Sequence, residues 1–278
     1  MKKYLTGFLT ILVYIFMAAP ILVLIVFSFN ESKSLSVFSA CSFRWYIELL
    51  NDRNTMEAVR NSLILASVAT IIATIMGTAA AWGINRINLK WYRKTVDMVI
   101  EIPMINPDII TGISFMLMFV FIGRFISGFT GLNFWTMLIA HVTFCLPYII
   151  LQVLPKLEQM DSSVWEAAMD LGCTTFRAFF KVELPELIPG IVTGAIMAFT
   201  MSLDDFVISY FTSGTGFETL PVRIYGMTKK TVTPKMYALA TIIFFITLFL
   251  LIIINMINGT DTKTRYKIKY RKENPKTE

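Results

Sequence analysis

Residues 166–185 read EAAMDLGCTTFRAFFKVELP, a moderately polar, amphipathic segment between long apolar stretches. We call it the motif segment. Its first six residues favour a short helix, for which Asp161 or Ser162 supplies a cap, and Gly172 is a residue type that ends helices. A second amphipathic run follows, and the Leu-Pro pair at its end predicts a stop at Pro185. The motif segment is therefore predicted to be a compact helix-turn-helix that fits a groove on a soluble partner.

The spacing within the motif segment is specific. Glu-Ala-Ala is followed after three residues by Gly, and after nine more by a β-branched residue, one further residue and Leu-Pro. This order resembles the cytoplasmic coupling loop of permease subunits of bacterial ABC importers, with Val182 where that family more often has Ile. The alternative is an ordinary cytoplasmic loop. The resemblance implies a coupling loop at 156–189 that contacts an ATP-hydrolysing partner. Its implied contact residues are Glu166, Ala167, Ala168, Gly172, Leu184 and Pro185.

The composition excludes a soluble domain. Of the 278 residues, 55% are hydrophobic and 16% are charged, and the mean hydropathy is +0.64, values that fit a polytopic membrane protein. Six stretches are long enough to cross a membrane, which takes about 20 apolar residues. They lie near 5–28, 61–84, 96–122, 134–154, 187–213 and 236–257. We predict an all-α protein with six transmembrane helices.

Basic residues predict the orientation of these spans. Lys2 and Lys3 precede the first span, the 86–94 connection carries four Lys or Arg residues, and the tail is strongly basic. Such loops stay on the cytoplasmic side, so both termini and the motif segment are predicted to be cytoplasmic. Basic residues between spans five and six argue weakly the other way. The net charge of +6 is attributed to orientation and contact with membrane lipid, and no nucleic-acid partner is predicted.

The chain is predicted to have three parts. Residues 1–57 hold the first transmembrane helix and an outer segment, 58–258 form a permease core, and 259–278 form a basic cytoplasmic tail. Within the outer segment, residues 43–49 predict a short amphipathic helix at the membrane surface, either as an anchor or as a contact for an extracytoplasmic partner. From about residue 58 onward, the spans and the motif segment resemble the type I importer permease fold.

No enzyme chemistry is predicted for the chain itself. The sequence has no metal-ligand cluster, no Gly-rich phosphate loop with a following Lys, and no nucleophile elbow. We therefore assign no catalytic residue, no metal site and no cofactor in this chain. An energy-using function needs a partner subunit that binds ATP and Mg²⁺.

Acidic residues inside the predicted spans are candidates for a substrate path, because charge is costly within a membrane. Asp108 follows the two prolines of 103–107, which are expected to break the third span and leave irregular backbone beside a wet cavity. Asp97 and Glu101 precede them on the same span. These two acids have the alternative of pairing with the basic residues Arg93–Lys94 at the cytoplasmic interface.

Span five contributes the other candidates for the substrate path. At helical spacing Asp205 shares a polar stripe with Ser202 and Ser209, whereas Asp204 shares a face with apolar residues. For Asp108, Asp204 and Asp205, the alternative to a role in the substrate path is capping of a broken helix or hydrogen bonding to freed backbone amides. His141 is interpreted as a hydrogen-bonded packing residue.

A closer resemblance lies around these acids. Residues 202–211 (SLDDFVISYF), 219–227 (TLPVRIYGM), 233–234 (TP) and 106–109 (NPDI) are similar to the second permease of spermidine/putrescine importers. The resemblance implies a permease heterodimer, two ATP-binding subunits and an extracytoplasmic polyamine-binding protein in the bacterial plasma (inner) membrane. The alternatives are the same fold with another cationic cargo, such as ferric iron or thiamine, and a channel or secondary transporter.

Overall fold

The computed structural model describes residues 2–32, 37–87, 89–125, 131–214, 216–229 and 233–273, and the regular structure of these ranges is helical. Within these ranges, extended backbone segments pair at an isolated β-bridge between Asn30 and Cys41. The helices are α1 (Lys2–Ser28), α2 (Arg44–Asn51), α3 (Arg53–Asn85), α4 (Lys90–Ile105), α5 (Asp108–Gly123), α6 (Phe134–Gln159), α7 (Ser162–Asp170), α8 (Thr175–Ala178), α9 (Leu184–Asp204), α10 (Val207–Thr212), α11 (Leu220–Thr228) and α12 (Pro234–Glu273). A π-helical turn, Phe179–Glu183, joins α8 to α9.

Five helical stretches in the described ranges are long and apolar enough to cross a membrane. They are Gly7–Ser28, Arg53–Asn85, Phe134–Gln159, Thr175–Asp204 and Pro234–Ile253. α4 and α5 meet the same criterion only as a pair, bent by 103° at the break between them. The predicted all-α membrane fold is confirmed, and its six predicted spans correspond to these five stretches and the bent pair.

The larger of two compact units comprises Asn61–Thr219 and Leu250–Glu278, and its core is built around α6. α6 is buried along much of its length and packs against α4, α9 and α10. Gly77 of α3 and Gly194 of α9 both lie against Ile149 of α6; a Cβ at Gly77 would come within 2.8 Å of the Ile149 Cγ2 atom. Small residues at such crossings let membrane helices approach closely, which strengthens their dispersion contacts.

The smaller unit consists of Met1–Arg60 and Leu220–Phe249. Its apolar cluster is formed by Leu49, Ala58, Leu220 and Leu239. Between α2 and α3, the Asp52 carboxylate accepts hydrogen bonds from Lys235, at 2.7 Å, and from Thr55. Burial by itself raises the pKa of Asp52, but these hydrogen bonds and the Lys235 charge outweigh it and lower the pKa to about 2.

The short helix predicted at 43–49 is confirmed as α2. Its Trp45 indole donates a 2.5 Å hydrogen bond to the carbonyl of Asn30, and Trp45 and Leu49 are buried. Phe43 and Ile47 are exposed on the other side of the helix. The choice between a membrane anchor and a partner contact stays a prediction.

α12 continues from Pro234 to Glu273 without a break. The predicted boundary at 258–259 therefore lies inside this helix. Residues 274–278 of the predicted tail lie outside the described residues.

Candidate functional site

The third predicted span is broken at Asn106–Pro107, where α4 ends and α5 begins. The backbone of Asn106 is extended, as expected for the residue before a proline. Pro103, in contrast, is accommodated inside α4. Asp108 lies exposed in the first turn of α5, where a carboxylate is favoured by the helix dipole. The predicted irregular backbone is thus confined to the Asn106–Pro107 junction.

The acids of α4 have surroundings that differ from the prediction. Asp97 is half-buried and Glu101 is exposed. Arg93 donates instead to Glu158, near the end of α6, because α4 packs against α6. The alternative pairing of Asp97 or Glu101 with Arg93 is therefore wrong, and their pairing with Lys94 stays a prediction.

Span five is broken as well, at Asp205 and Phe206, between α9 and α10. The Asp205 carboxylate accepts the backbone N–H groups of Ile208, at 3.2 Å, and Ser209, at 2.8 Å. It thereby caps α10 and satisfies amides that the break would leave without partners. The placement of Asp205 on a continuous helix is wrong, and the capping alternative is confirmed.

His141 of α6 connects the two sides of this break. Its ring is fully buried, with Nδ1 2.8 Å from the Ser202 Oγ atom of α9 and Nε2 3.0 Å from the Ser209 Oγ atom of α10. An Asp205 oxygen lies 3.5 Å from the same Nε2. The predicted packing role of His141 is confirmed, and both serines predicted for the substrate path are buried in its hydrogen-bond network.

The Asp205 carboxylate determines which groups donate and which accept in this hydrogen-bond network. The Ser209 hydroxyl donates to Asp205, so its oxygen accepts from Nε2–H of His141. Nδ1 is then the acceptor for the Ser202 hydroxyl. A neutral imidazole in this tautomer satisfies both hydroxyls, which matters where no bulk water can do so.

The two helix breaks are adjacent because α5 packs against α10. Gly112 of α5 makes this approach possible. A Cβ at Gly112 would lie 3.0 Å from the Phe211 ring and 3.3 Å from the Val207 carbonyl oxygen. The packing brings Asp108 and Asp205, one carboxylate from each break, within range of electrostatic interaction.

These two carboxylates form an acidic pair with unequal exposure. The Asp205 side chain is only 7% exposed, whereas Asp108 and Asp204 are exposed. Tyr148 of α6 also lies within electrostatic range of Asp108. Like charges repel each other, and a cation between the two carboxylates relieves the repulsion. Sequence reasoning missed Tyr148, although its spacing of seven residues from His141 places both on one face of α6.

The motif segment begins as predicted. Asp161 caps α7 by accepting a backbone N–H of its first turn at 3.0 Å, and α7 ends before Gly172, whose φ is +80°. The N–H of Cys173 bonds to the carbonyl of Ala168, and that of Gly172 to the carbonyl of Met169. These are the two hydrogen bonds of a Schellman C-cap, which needs a left-handed residue at the glycine position.

The end of the motif segment differs from the prediction. α8 continues through the π-helical turn into α9, and the N–H of Leu184 bonds to the carbonyl of Phe179, five residues earlier. Pro185 lies in the first turn of α9, where its missing N–H is tolerated. The predicted stop at Leu184–Pro185 is therefore wrong, and the chain is helical from Thr175 to Asp204.

The motif segment presents an uncovered surface. Glu166, Ala167 and Gly172 are exposed, and Ala168 is buried. Large apolar side chains beside them are also exposed, with Leu171 at 86%. We call Glu166, Leu171, Phe176 and Phe180 together the coupling surface, after the role that the resemblance of the motif segment implies. Apolar side chains exposed together beside a charge are typical of a protein interaction site.

A buried carboxylate in the motif segment was not predicted. Glu183 accepts hydrogen bonds from the Trp82 indole and from Arg86. The feature that could have indicated it is the position of this acid directly between Val182 and Leu184, on the apolar side of an amphipathic run.

In the part of the chain that the structure describes, no group of three His, Cys, Asp or Glu side chains is arranged to hold a metal ion. We assign no metal-binding residue.

Comparison with known proteins identifies relatives over most of the chain. The putrescine transport system permease protein PotI of Escherichia coli (strain K12) is 41% identical over 230 residues, which cover 83% of this chain and 82% of that protein. The spermidine/putrescine transport system permease protein PotC of Haemophilus influenzae is 36% identical over 245 residues, 88% of this chain and 93% of that protein.

Solved structures agree at the level of the fold. The crystal structure of a bacterial ABC transporter involved in the import of the acidic polysaccharide alginate matches with a TM-score of 0.67 at 17% identity, covering 94% of this chain and 95% of that one. Residues 69–259 match the family described as binding-protein-dependent transport system inner membrane component. With these matches and its apolar helices, this multi-pass membrane protein belongs to the family of binding-protein-dependent transport system inner membrane components.

Proposed function

We propose that the chain is a permease subunit of an ATP-driven importer and that it translocates a polyamine, putrescine or spermidine. The observation that carries this proposal is the 41% and 36% identity to putrescine and spermidine/putrescine permeases over 83% and 88% of the chain. The acidic pair of Asp108 and Asp205 supports it, because a polyamine carries several ammonium groups along a flexible chain. A carboxylate in a partly dry cavity attracts an ammonium group more strongly than one in bulk water.

The importer contains further subunits in this proposal. A second permease completes the path, two ATP-binding subunits bind Mg²⁺ and hydrolyse ATP, and an extracytoplasmic polyamine-binding protein delivers the cargo. This chain itself binds no nucleotide. Both of its termini and the motif segment face the cytoplasm, in keeping with the basic residues at 86–94 and in the tail.

The substrate path runs past the two helix breaks. Asp108 is the exposed member of the acidic pair and meets the cation first, while the buried Asp205 holds the opposite side. Asp204 contributes less, since it lies at the end of α9 without a described partner carboxylate. Ser202 and Ser209 act indirectly, because both hydroxyls are committed to His141.

Coupling to ATP runs through the motif segment. ATP binding draws the two ATP-binding subunits together, and the coupling surface on α7, α8 and the π-helical turn follows that movement. The helices then switch between inward-facing and outward-facing states, a two-state transition. Glu166 and the apolar side chains of the coupling surface supply the contact.

The test is uptake into liposomes that contain the whole importer, assembled from this chain and its partner subunits. ATP-dependent uptake of radiolabelled putrescine or spermidine is expected, with competition by the other polyamine and none by thiamine or ferric iron. Uptake of thiamine or iron, and not of a polyamine, would show that the proposed cargo is wrong. Uptake that persists without the ATP-binding subunits would favour a channel or a secondary transporter.

The acidic pair is tested in the same liposomes. Asp108→Asn and Asp205→Asn are each expected to reduce uptake by roughly tenfold, because each removes one of two attracting charges. Asn is also a good helix cap, and its one carbonyl oxygen can accept one of the two backbone N–H groups that Asp205 accepts, so Asp205→Asn removes the charge and keeps part of the cap of α10. Asp204→Asn is the matched control with a smaller effect. Equal, near-normal uptake in all three variants would remove the acidic pair from the substrate path.

A further inference from the structure

A partly buried cluster around Glu183 connects the motif segment to the end of α3. Arg86, just after α3, donates to one Glu183 oxygen at 2.7 Å, and the Trp82 indole donates to the other at 2.8 Å. The Glu183 side chain is 7% exposed, and that of Arg86 is 35% exposed. Both carboxylate oxygens thus have a partner, which a carboxylate this deeply buried requires.

Arg86 extends the cluster to α7. Its guanidinium carbon lies 3.7 Å from the centre of the Trp165 ring, a close cation–π contact. Trp165 directly precedes Glu166 of the coupling surface. On the other side, the Trp82 ring lies 5.1 Å from the ring of Phe179, at the start of the π-helical turn. One arginine therefore contacts α7 and bonds to the turn before α9.

α7 needs such a tie to act as a rigid element. It is joined to α6 by the non-helical residues Met160 and Asp161, and to α8 by the non-helical residues of 171–174. Gly172 in the second connection has a left-handed backbone, and a Cβ there would meet no atom within 4 Å. A short helix between two such connections can rotate unless side chains hold it, so force applied to it would not reach the spans.

We propose that Arg86 and Glu183 are positioning residues that lock α7 to α3 and to the start of α9, so that movement of the coupling surface is passed to the membrane-spanning helices. This inference rests on the proposed coupling role of the motif segment. The ion pair acts as the fixed point, because separating it leaves a buried charge without a partner. Because the Trp165 ring stacks on Arg86, the ion pair also holds α7, the helix that carries Glu166.

The first experiment measures the lock itself, independently of transport. In a background in which Cys41 and Cys173 are replaced by Ser, a spin label on a cysteine introduced at Asp170, an exposed residue of α7, reports the mobility of α7 in the assembled importer in nanodiscs. Glu183→Gln and Arg86→Gln are expected to increase that mobility, and Arg86→Lys, which keeps the charge, to increase it less. Glu158→Gln is the matched control, since Glu158 pairs with Arg93 on α4 and not with the motif segment. Unchanged mobility in Glu183→Gln and Arg86→Gln would overturn the proposal.

The second experiment measures coupling in importers of equal assembly. Putrescine uptake per ATP hydrolysed is expected to fall by about tenfold in Glu183→Gln, which is within the usual range of coupling effects. Copurification of the ATP-binding subunits should be unchanged, and Arg86→Lys should retain more coupling than Arg86→Gln. Increased mobility with normal uptake per ATP would overturn the role in coupling. Absence of ATP-driven putrescine uptake in the unmodified importer would overturn the proposed function. The measured mobility of α7 would still show whether Arg86 and Glu183 hold this helix.

Discussion

Replacement of His141 by Leu tests the hydrogen-bond network that holds the break in span five. The substitution keeps a side chain of similar size in a fully buried position, so no large cavity confounds the result. It leaves the Ser202 hydroxyl without its partner at 2.8 Å, while Ser209 retains the Asp205 carboxylate. A buried hydroxyl without a partner costs about 1–3 kcal/mol. Loss of a second hydrogen bond between membrane helices, from His141 to Ser209, costs about 0.6–1.7 kcal/mol. His141→Leu should therefore lower the free energy of unfolding by about 2–5 kcal/mol.

The assay is unfolding of the purified complex in mixed micelles with increasing SDS, followed by circular dichroism. A double-mutant cycle with Ser202→Ala isolates the pair. Ser202→Ala should cost clearly less when His141 is already replaced, because the hydroxyl then has no imidazole to lose. Equal costs of Ser202→Ala in both backgrounds, or a His141→Leu variant as stable as the original protein, would refute the network as a source of stability.

The pKa of Asp52 is about 2 against an ordinary 3.8, so its carboxylate should add about 2 kcal/mol to the free energy of unfolding above pH 4. This contribution should be lost as the pH falls from about 4 towards 2. The difference in the free energy of unfolding between the original protein and Asp52→Asn, measured with a denaturant, should narrow over that interval. Gly112→Leu should destabilise the protein by about 1–3 kcal/mol by separating α5 from α10, whereas Gly83→Leu, where a Cβ meets no neighbour, should be close to neutral in the same assay. A membrane-impermeant thiol reagent should label the exposed Cys41 in intact cells and Cys173 only after permeabilisation; labelling of Cys173 in intact cells would contradict the orientation.

Local features of the fold could be read from the sequence. Asp161 caps α7 and Gly172 ends it, as their residue types predict, and the Asn106–Pro107 junction breaks a span as an X-Pro pair should. In each case the cause lies within a few residues of the effect. The amphipathic pattern of residues 43–49 was likewise enough to predict α2, whereas the burial of Trp45 against Asn30 was not predicted.

Features set by distant contacts could not be read in this way. The break at Asp205 has no Pro or Gly, and it is held by His141, which lies 64 residues earlier in the sequence. Glu183 pairs with Arg86 across 97 residues, a separation at which no periodic pattern carries information. The acidic pair of the candidate site was named residue by residue, but the contact that joins it, α5 on α10, needed the structure.

The π-helical turn at Phe179–Glu183 also fixes a rotation. A π-helical turn holds one residue more than a regular turn, and each residue of an α-helix advances by about 100°. Residues from Leu184 onward are therefore turned by about that angle relative to a regular continuation of α8. Gly190 and Gly194 of α9 face α6 only in this register, where a Cβ on either would come within about 3.3 Å of an α6 atom. The number of residues in this turn, and not only their identity, therefore determines which side of α9 meets α6.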